Sequence, residues 1–309
     1  MKRIPWWIWA IGVAIVAVAF LAGLLVGMPG ADGPDTGEPD GEPTGAVEPD
    51  DDGDVPPEPT GDDDEVPPDS AEPQYVRIYL VRDGLLGTAL REIPATQAVA
   101  TAALRELLGG ATEAERGYGL TSAVPEGTEL LGIEIKDGTA RVDLSGSFDD
   151  GGGSLSMSLR LGQVVFTLTQ FSTVQRVELW MEGAPVEVFS GEGLIIDAPM
   201  TRADFEDVLP ALFVEGPTPG ASVTSPMRVW GTGNTFEAAF LVRIEDPEGT
   251  TLVELPAMAT SGTGTRGTFD LTVSFTTTVA GMGKVVVWEA SARDGSPINV
   301  IEIPVRMSP

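Results

Sequence analysis

Hydrophobic and polar positions change rhythm along the chain. Residues 6–27, WWIWAIGVAIVAVAFLAGLLVG, carry no charge, and roughly 20 apolar residues span a bilayer core as a helix. Across 29–74 apolar residues thin out. From 75 onward two-residue and helical periods alternate. Residues 75–81 alternate and predict a strand. Behind Pro94, which suits a first helical turn, Val99, Ala103, Leu104, Leu107 and Leu108 recur at helical spacing until Gly109-Gly110. Ile133 and Ile135, then Asp137-Gly138, then Ala140, Val142 and Leu144 predict a hairpin, because Asp-Gly suits a two-residue turn with positive φ. Leu155, Leu159, Val164, Val165, Leu168 and Phe171 predict a second helix, and Val177, Leu179 and Met181 a last strand. The order βαββαβ over 75–205 predicts an α+β domain with two helices on one face of a small sheet.

Pro210 and the run Glu215-Gly216-Pro217-Thr218-Pro219-Gly220 mark a boundary, and the connection over 205–216 reads as short and polar. Beyond it the helical period disappears. Runs 227–230, 238–244, 252–255, 268–275, 284–290 and 300–305 are rich in β formers and separated by Gly, Pro and Asp turns. Six or seven short strands over 211–309 predict an all-β sandwich. Trp230 and Trp288 read as core residues, with sugar stacking as the rival role.

Charge adds a topology. Lys2 and Arg3 precede the apolar span, and Trp6, Trp7 and Trp9 cluster at its start. Residues 1–28 therefore read as a cytoplasmic tip and transmembrane helix, with the bulk exported. A cleaved signal peptide is the rival, but the span is long and Val26-Gly27-Met28-Pro29 is a poor cleavage site. No cysteine follows, so lipid anchoring through cysteine is excluded in this chain. Residues 29–74 hold 17 acidic residues, 11 prolines and no lysine or arginine. Such a segment buries too little surface to offset ordering entropy and reads as a disordered, extended spacer. At about 3 Å per residue in polyproline II it reaches on the order of 140 Å. Its clusters Asp50-Asp51-Asp52 and Asp62-Asp63-Asp64-Glu65 lack EF-hand spacing and read as solvated charge. The chain carries −29 overall, with +2 in residues 1–28 and −17 in 29–74, which leaves −14 on 75–309. An acidic body argues against nucleic-acid binding, which needs clustered Lys and Arg.

Candidate chemistry is sparse. Histidine and cysteine are absent, which removes Ser-His-Asp and Cys-His nucleophiles, zinc sites built on those residues, and disulfides. Asp149-Asp150-Gly151-Gly152-Gly153 lacks the Walker lysine and reads as a helix-entry turn rather than a phosphate or metal loop. Thr167, Thr169, Gln170 and Ser172 read as half-exposed helix positions rather than a polar site. Asp137, Asp143 and Asp149 offer carboxylates for hydrolysis, but nothing in their spacing sets two of them across a cleft. Asn234 and Glu237 fall in a loop that turn hydrogen bonding explains equally well. No catalytic, cofactor-binding or metal-binding residue is assigned, no cofactor is implied, and the chain does not read as an enzyme.

The run Arg141-Val142-Asp143-Leu144-Ser145, the helix Gly162-Gln163-Val164-Val165-Phe166-Thr167-Leu168-Thr169-Gln170-Phe171, the stretch Val174-Gln175-Arg176-Val177 and Pro199-Met200-Thr201-Arg202 resemble the GerM-type (GerMN) domain of bacterial sporulation and germination proteins. The resemblance implies a compact α/β fold related to ring-building modules of secretion-like assemblies, without enzyme activity. Ser225-Pro226-Met227-Arg228-Val229-Trp230-Gly231-Thr232-Gly233-Asn234-Thr235-Phe236-Glu237, 261–269 and 292–297 resemble the immunoglobulin-like domain of bacterial spore germination. It implies an extracytoplasmic sandwich used for binding or spacing. The expected protein is a single-pass, membrane-anchored structural or interaction protein of the envelope. It meets the membrane through its N-terminal helix and acts by self-association or by docking to envelope proteins. The alternative is a module that binds a cell-wall polymer such as peptidoglycan, with Trp180 and Trp230 as stacking candidates.

Overall fold

The computed structural model describes residues 72–191 and 193–309. The expected membrane span, and the expected spacer up to residue 71, lie outside them. No helix among the described residues is long and apolar enough to cross a membrane. The described residues form one compact unit.

The chain enters through β1 (Gln74–Arg82), which turns back into β2 (Leu85–Ile93). Asp83 and Gly84 make the turn at φ 53° and 78°. This is the same two-residue Asp-Gly connection that Asp137 and Gly138 make at φ 50° and 76°. The expected strand ends at residue 81, and β2 falls in a stretch where no element is predicted. Helix α1 (Val99–Leu108) follows, burying Ala100, Ala103, Leu104 and Leu107, and then the short α2 (Glu113–Gly117). Thr112 and Glu115 cap α2 reciprocally, each side chain accepting from the other's backbone N–H. Strand β3 (Leu120–Thr121) pairs with β1 and completes a three-stranded sheet in the order β2-β1-β3.

A second sheet follows. Strands β4 (Leu130–Lys136) and β5 (Thr139–Leu144) form the expected hairpin. Helix α3 (Ser154–Leu168) crosses over to β6 (Arg176–Met181), which runs parallel to β5, and β7 (Ala184–Pro185) closes the order β4-β5-β6-β7. A small ribbon of β8 (Val188–Phe189) and β9 (Leu194–Ile195) trails it. The expected single sheet of a βαββαβ unit is thus two sheets. They share one core because α3, with eleven of fifteen residues buried, packs against β1, α1 and β6.

The second half is β-rich throughout. Strands β10 (Leu212–Gly216), β11 (Ser222–Val223), β12 (Met227–Gly233), β13 (Ala239–Glu245), β14 (Thr251–Met258), β15 (Gly267–Val273), β16 (Gly281–Ala290) and β17 (Pro297–Met307) make two sheets. Their orders are β10-β12-β15 and β11-β17-β16-β13-β14. Inward residues of the alternating strands, among them Val229, Val242, Ile244, Val285, Val287 and Val305, are buried, and Phe240 meets Phe269 at 4.8 Å. The connection expected to be polar is largely not. A 3₁₀ segment, Arg202–Val208, leads into β10, all five of whose residues are buried.

Candidate functional site at the domain junction

Strand β10 belongs to two cores at once. Leu212 and Val214 join the core of the sandwich, whereas Phe213 joins that of the α/β half. Alternation along a strand sends Glu215 to the same side as Phe213. Phe213 lies 6.1 Å from Tyr79 of β1 and 5.9 Å from Phe166 of α3, edge-on to the latter, while Tyr79 and Phe166 stand 5.4 Å apart. Such tilted aromatic contacts add roughly 0.5–1.5 kcal/mol each beyond burial.

A buried carboxylate sits at the edge of this trio. The Tyr79 hydroxyl donates a short hydrogen bond to Glu215 Oε2. Arg202 Nη1 donates to both Glu215 oxygens, at 3.0 and 3.2 Å, and Arg202 Nη2 donates to the Tyr79 hydroxyl at 3.1 Å. Arg202 Nε donates to Thr169 Oγ1 at 2.9 Å, and its guanidinium lies 4.6 Å from the Phe166 ring. Burial, and then the Glu215 carboxylate, push the Tyr79 phenol well above its ordinary range. Burial works against the Arg202 charge, but Tyr79 and Glu215 outweigh it and hold the guanidinium above its ordinary value. The triad pairs a buried carboxylate with a guanidinium that still reaches water, with each partner from a different element.

Around it the strand is fixed from both sides. Arg77 Nε donates to the Glu215 carbonyl at 2.9 Å and its guanidinium lies 4.3 Å over the Trp230 ring. Burial lowers the Arg77 pKa, only partly countered by Tyr79 and Glu215. Gly216 makes room for that indole: a Cβ there would fall 2.5 Å from Trp230 Nε1. Arg266 ties the connection down, donating from Nε to Glu206 Oε2 at 2.8 Å and from Nη2 to the Pro210 carbonyl at 3.0 Å. Arg82 Nη1 reaches the Glu302 carbonyl at 2.8 Å. A cavity of about 300 Å³ lies beside the junction, lined by Leu86, Leu120, Leu212, Pro217 and Ile301 among others.

The candidates from the sequence take other jobs. Thr167 Oγ1 accepts from the Tyr79 N–H at 3.3 Å, and Gln170 both accepts from and donates to the Arg77 backbone at 2.9 and 2.7 Å. Together with the fully buried Gln163, which donates to the Tyr79 carbonyl at 3.0 Å, they bolt α3 to β1. Ser172 is exposed and outside this set. Around Asp149 the backbone presents carbonyls, not N–H groups: those of Phe148, Asp150 and Gly151 accept from Arg160. That is the reverse of a phosphate cradle. Asp137 forms the exposed hairpin turn, and Asp143 Oδ1 accepts from the Gly183 N–H at 3.1 Å. No group of three His, Cys, Asp or Glu able to hold a metal occurs among the described residues. Asn234 Oδ1 accepts from the Gly264 N–H and the Glu237 N–H donates to Thr263 Oγ1, both at 2.9 Å, so both residues serve the turn. Trp288 is buried, while Trp230 is half-buried at the junction under Arg77 and Arg228, and Trp180 has Arg141 over its ring at 4.8 Å. Sequence reasoning missed Tyr79, Glu215 and Phe213. The available signal was the alternation Leu212-Phe213-Val214-Glu215 in a stretch read as linker.

Comparisons with known proteins divide the chain at the same place. Residues 71–187 match the family Germane, described as sporulation and spore germination, and residues 211–296 match Gmad2, the immunoglobulin-like domain of bacterial spore germination. Among solved structures, the first GerMN domain of the sporulation protein GerM from Bacillus subtilis is 26% identical, covering 42% of this chain and 99% of that one, with a TM-score of 0.38. The tandem GerMN domains of the same protein are 19% identical, covering 59% of each chain, with a TM-score of 0.38. No curated protein matches. The chain therefore carries a Germane domain of sporulation and spore germination followed by an immunoglobulin-like domain of bacterial spore germination.

Proposed function

We propose that this is a membrane-anchored structural or interaction protein of the bacterial envelope, working in sporulation or germination by assembly or by docking to partners. The observation that carries this reading is the shared strand. Because β10 completes both cores, a load or partner on either domain acts on the other, and the pair behaves as one arm rather than two beads. Two domains of a kind that serves structure and interaction point the same way. The apolar span 6–27 supplies the anchor and the acidic segment 29–74 the reach, which sets the arm outside the membrane.

The test is photo-crosslinking of the full-length chain in native membranes, followed by identification of what it retains. Capture of envelope proteins or of the chain itself, weakened when Glu215→Ala loosens the junction, is the expected result. Retention of nothing would sink the reading. Association with insoluble peptidoglycan alone would move the assignment to the wall-polymer alternative, for which Trp180 and Trp230 are awkward platforms because arginines already lie over both rings.

A further inference from the structure

The sheet β4-β5-β6-β7 is open along β4. On that strand Leu131 and Ile135 are 48% and 39% exposed, and Ile133 is half-buried. The two-residue turn decides which backbone groups face the open side. Lys136 and Thr139 flank the turn as a hydrogen-bonded pair, so Glu134–Arg141 is hydrogen-bonded as well, while Ile135–Ala140 and Ile133–Val142 are not. The N–H and C=O of Ile133 and Ile135 therefore point away from β5, at the free edge. Natural edges are commonly blunted by proline or by bulges. The sandwich edge β14 carries Pro256, whereas β4 has no proline, and its one bulge, between Leu130 and Gly132, leaves the run from Gly132 to Lys136 in regular register.

We propose that β4 is an interface between two copies of this chain, paired antiparallel with Ile133 opposite Ile133, giving one eight-stranded sheet. Three constraints select this register. First, the free groups sit on odd-numbered residues, so an odd residue must face an odd one. Second, centring on Ile133 keeps the pairing clear of the Asp137-Gly138 turn and puts the bulge at Leu131 towards its far end, whereas centring on Ile135 runs into the turn. Third, centring on Glu134 would set like carboxylates against each other, while centring on Ile133 sets Glu134 opposite Gly132 and Leu131 opposite Ile135. Glu134 and Lys136 cancel, so this is a neutral seam on an acidic body, where copies of the same chain approach at least electrostatic cost. The proposal rests on the reading of the chain as an assembly module and names one surface for it.

The chain has no cysteine, so single cysteines report contacts cleanly. In the full-length chain in native membranes, Ile133→Cys should oxidise to a disulfide dimer. Leu131→Cys and Ile135→Cys should not do so alone, because like residues then lie about 13 Å apart along the strands. Membranes holding both single variants together should give the 131–135 crosslink. Ile133→Pro removes an N–H that β5 does not use, and adding it to either variant should abolish that mixed crosslink. The proposal is overturned by no more dimer from Ile133→Cys and the mixed pair than from Asp83→Cys in an exposed turn, or by equal dimer from all three single variants. If the self-crosslinks fail while envelope proteins are still captured, only the self-pairing is lost and the docking role stands.

Discussion

Glu215 has left water, and its three remaining interactions decide whether that is tolerable. Removing one partner of a buried ion pair typically costs about 3–5 kcal/mol, because the other charge is stranded. Glu215→Ala should destabilise by less than that, about 1–3 kcal/mol, because the Arg202 it leaves behind is partly exposed and regains water. Tyr79→Phe, which deletes one hydroxyl donor, should cost about 1–3 kcal/mol. The two effects should be non-additive, since they remove the same contact; equilibrium urea unfolding of the two single variants and the double variant measures the coupling. The phenol also sets a pH dependence. Its folded pKa is raised, so the stability it contributes is complete below the unfolded tyrosine value of about 10 and declines as pH rises above it. Tyr79→Phe should flatten the alkaline limb of a stability–pH profile. An unaltered alkaline limb would mean that the phenol ionises in the folded protein as freely as in the unfolded one.

Strand β10 is the element on which the two halves depend, and Phe213 is its largest contribution to the α/β core. Phe213→Ala should cost about 3–5 kcal/mol and should do more than lower a midpoint. The native chain is expected to unfold in one transition, because neither core is complete without β10. The variant should resolve into two transitions, with the α/β half melting first, as followed by near-ultraviolet circular dichroism beside calorimetry. Much of the rest of the element map was legible. The sandwich strands announce themselves because alternating valines, isoleucines and phenylalanines face one buried side each, and Asp137-Gly138 fixes its hairpin by backbone conformation alone. Two strands were not legible for different reasons. In β2, Leu85-Leu86-Gly87-Thr88-Ala89-Leu90 lacks strong β formers, and what makes it a strand is its register with β1 across Asp83-Gly84. In β10, Glu215 between Pro210 and Pro217 looks like solvent-exposed linker. Only its pairing with Tyr79, 136 residues earlier, makes it interior. The candidate site was hidden for the same reason, since its members come from β1, the end of α3, a 3₁₀ turn and β10.

At the scale of the whole molecule the question is where the chain opens. Proteolysis follows local unfolding, and sites with few buried contacts and few hydrogen bonds are cut first. The residues between the two domains look like such a site in the sequence, yet they are held. Thr201 and Asp204 cap the 3₁₀ segment, Arg266 binds Glu206 and the Pro210 carbonyl, and the Asn234 N–H donates to the Ala211 carbonyl at 2.8 Å. The segment 29–74, by contrast, reads from its composition as an extended spacer. Mild thermolysin treatment of the full-length chain should therefore release a single resistant body that begins near residue 72 and keeps both domains, identified by intact mass. Arg266→Ala removes two of the ties on the connection and should bring a second cut between 205 and 212 within reach at the same protease dose. If the native chain instead falls into two fragments of about domain size, β10 is not held as tightly as its burial requires. The picture of one arm carrying both domains would then give way to two independently tethered modules.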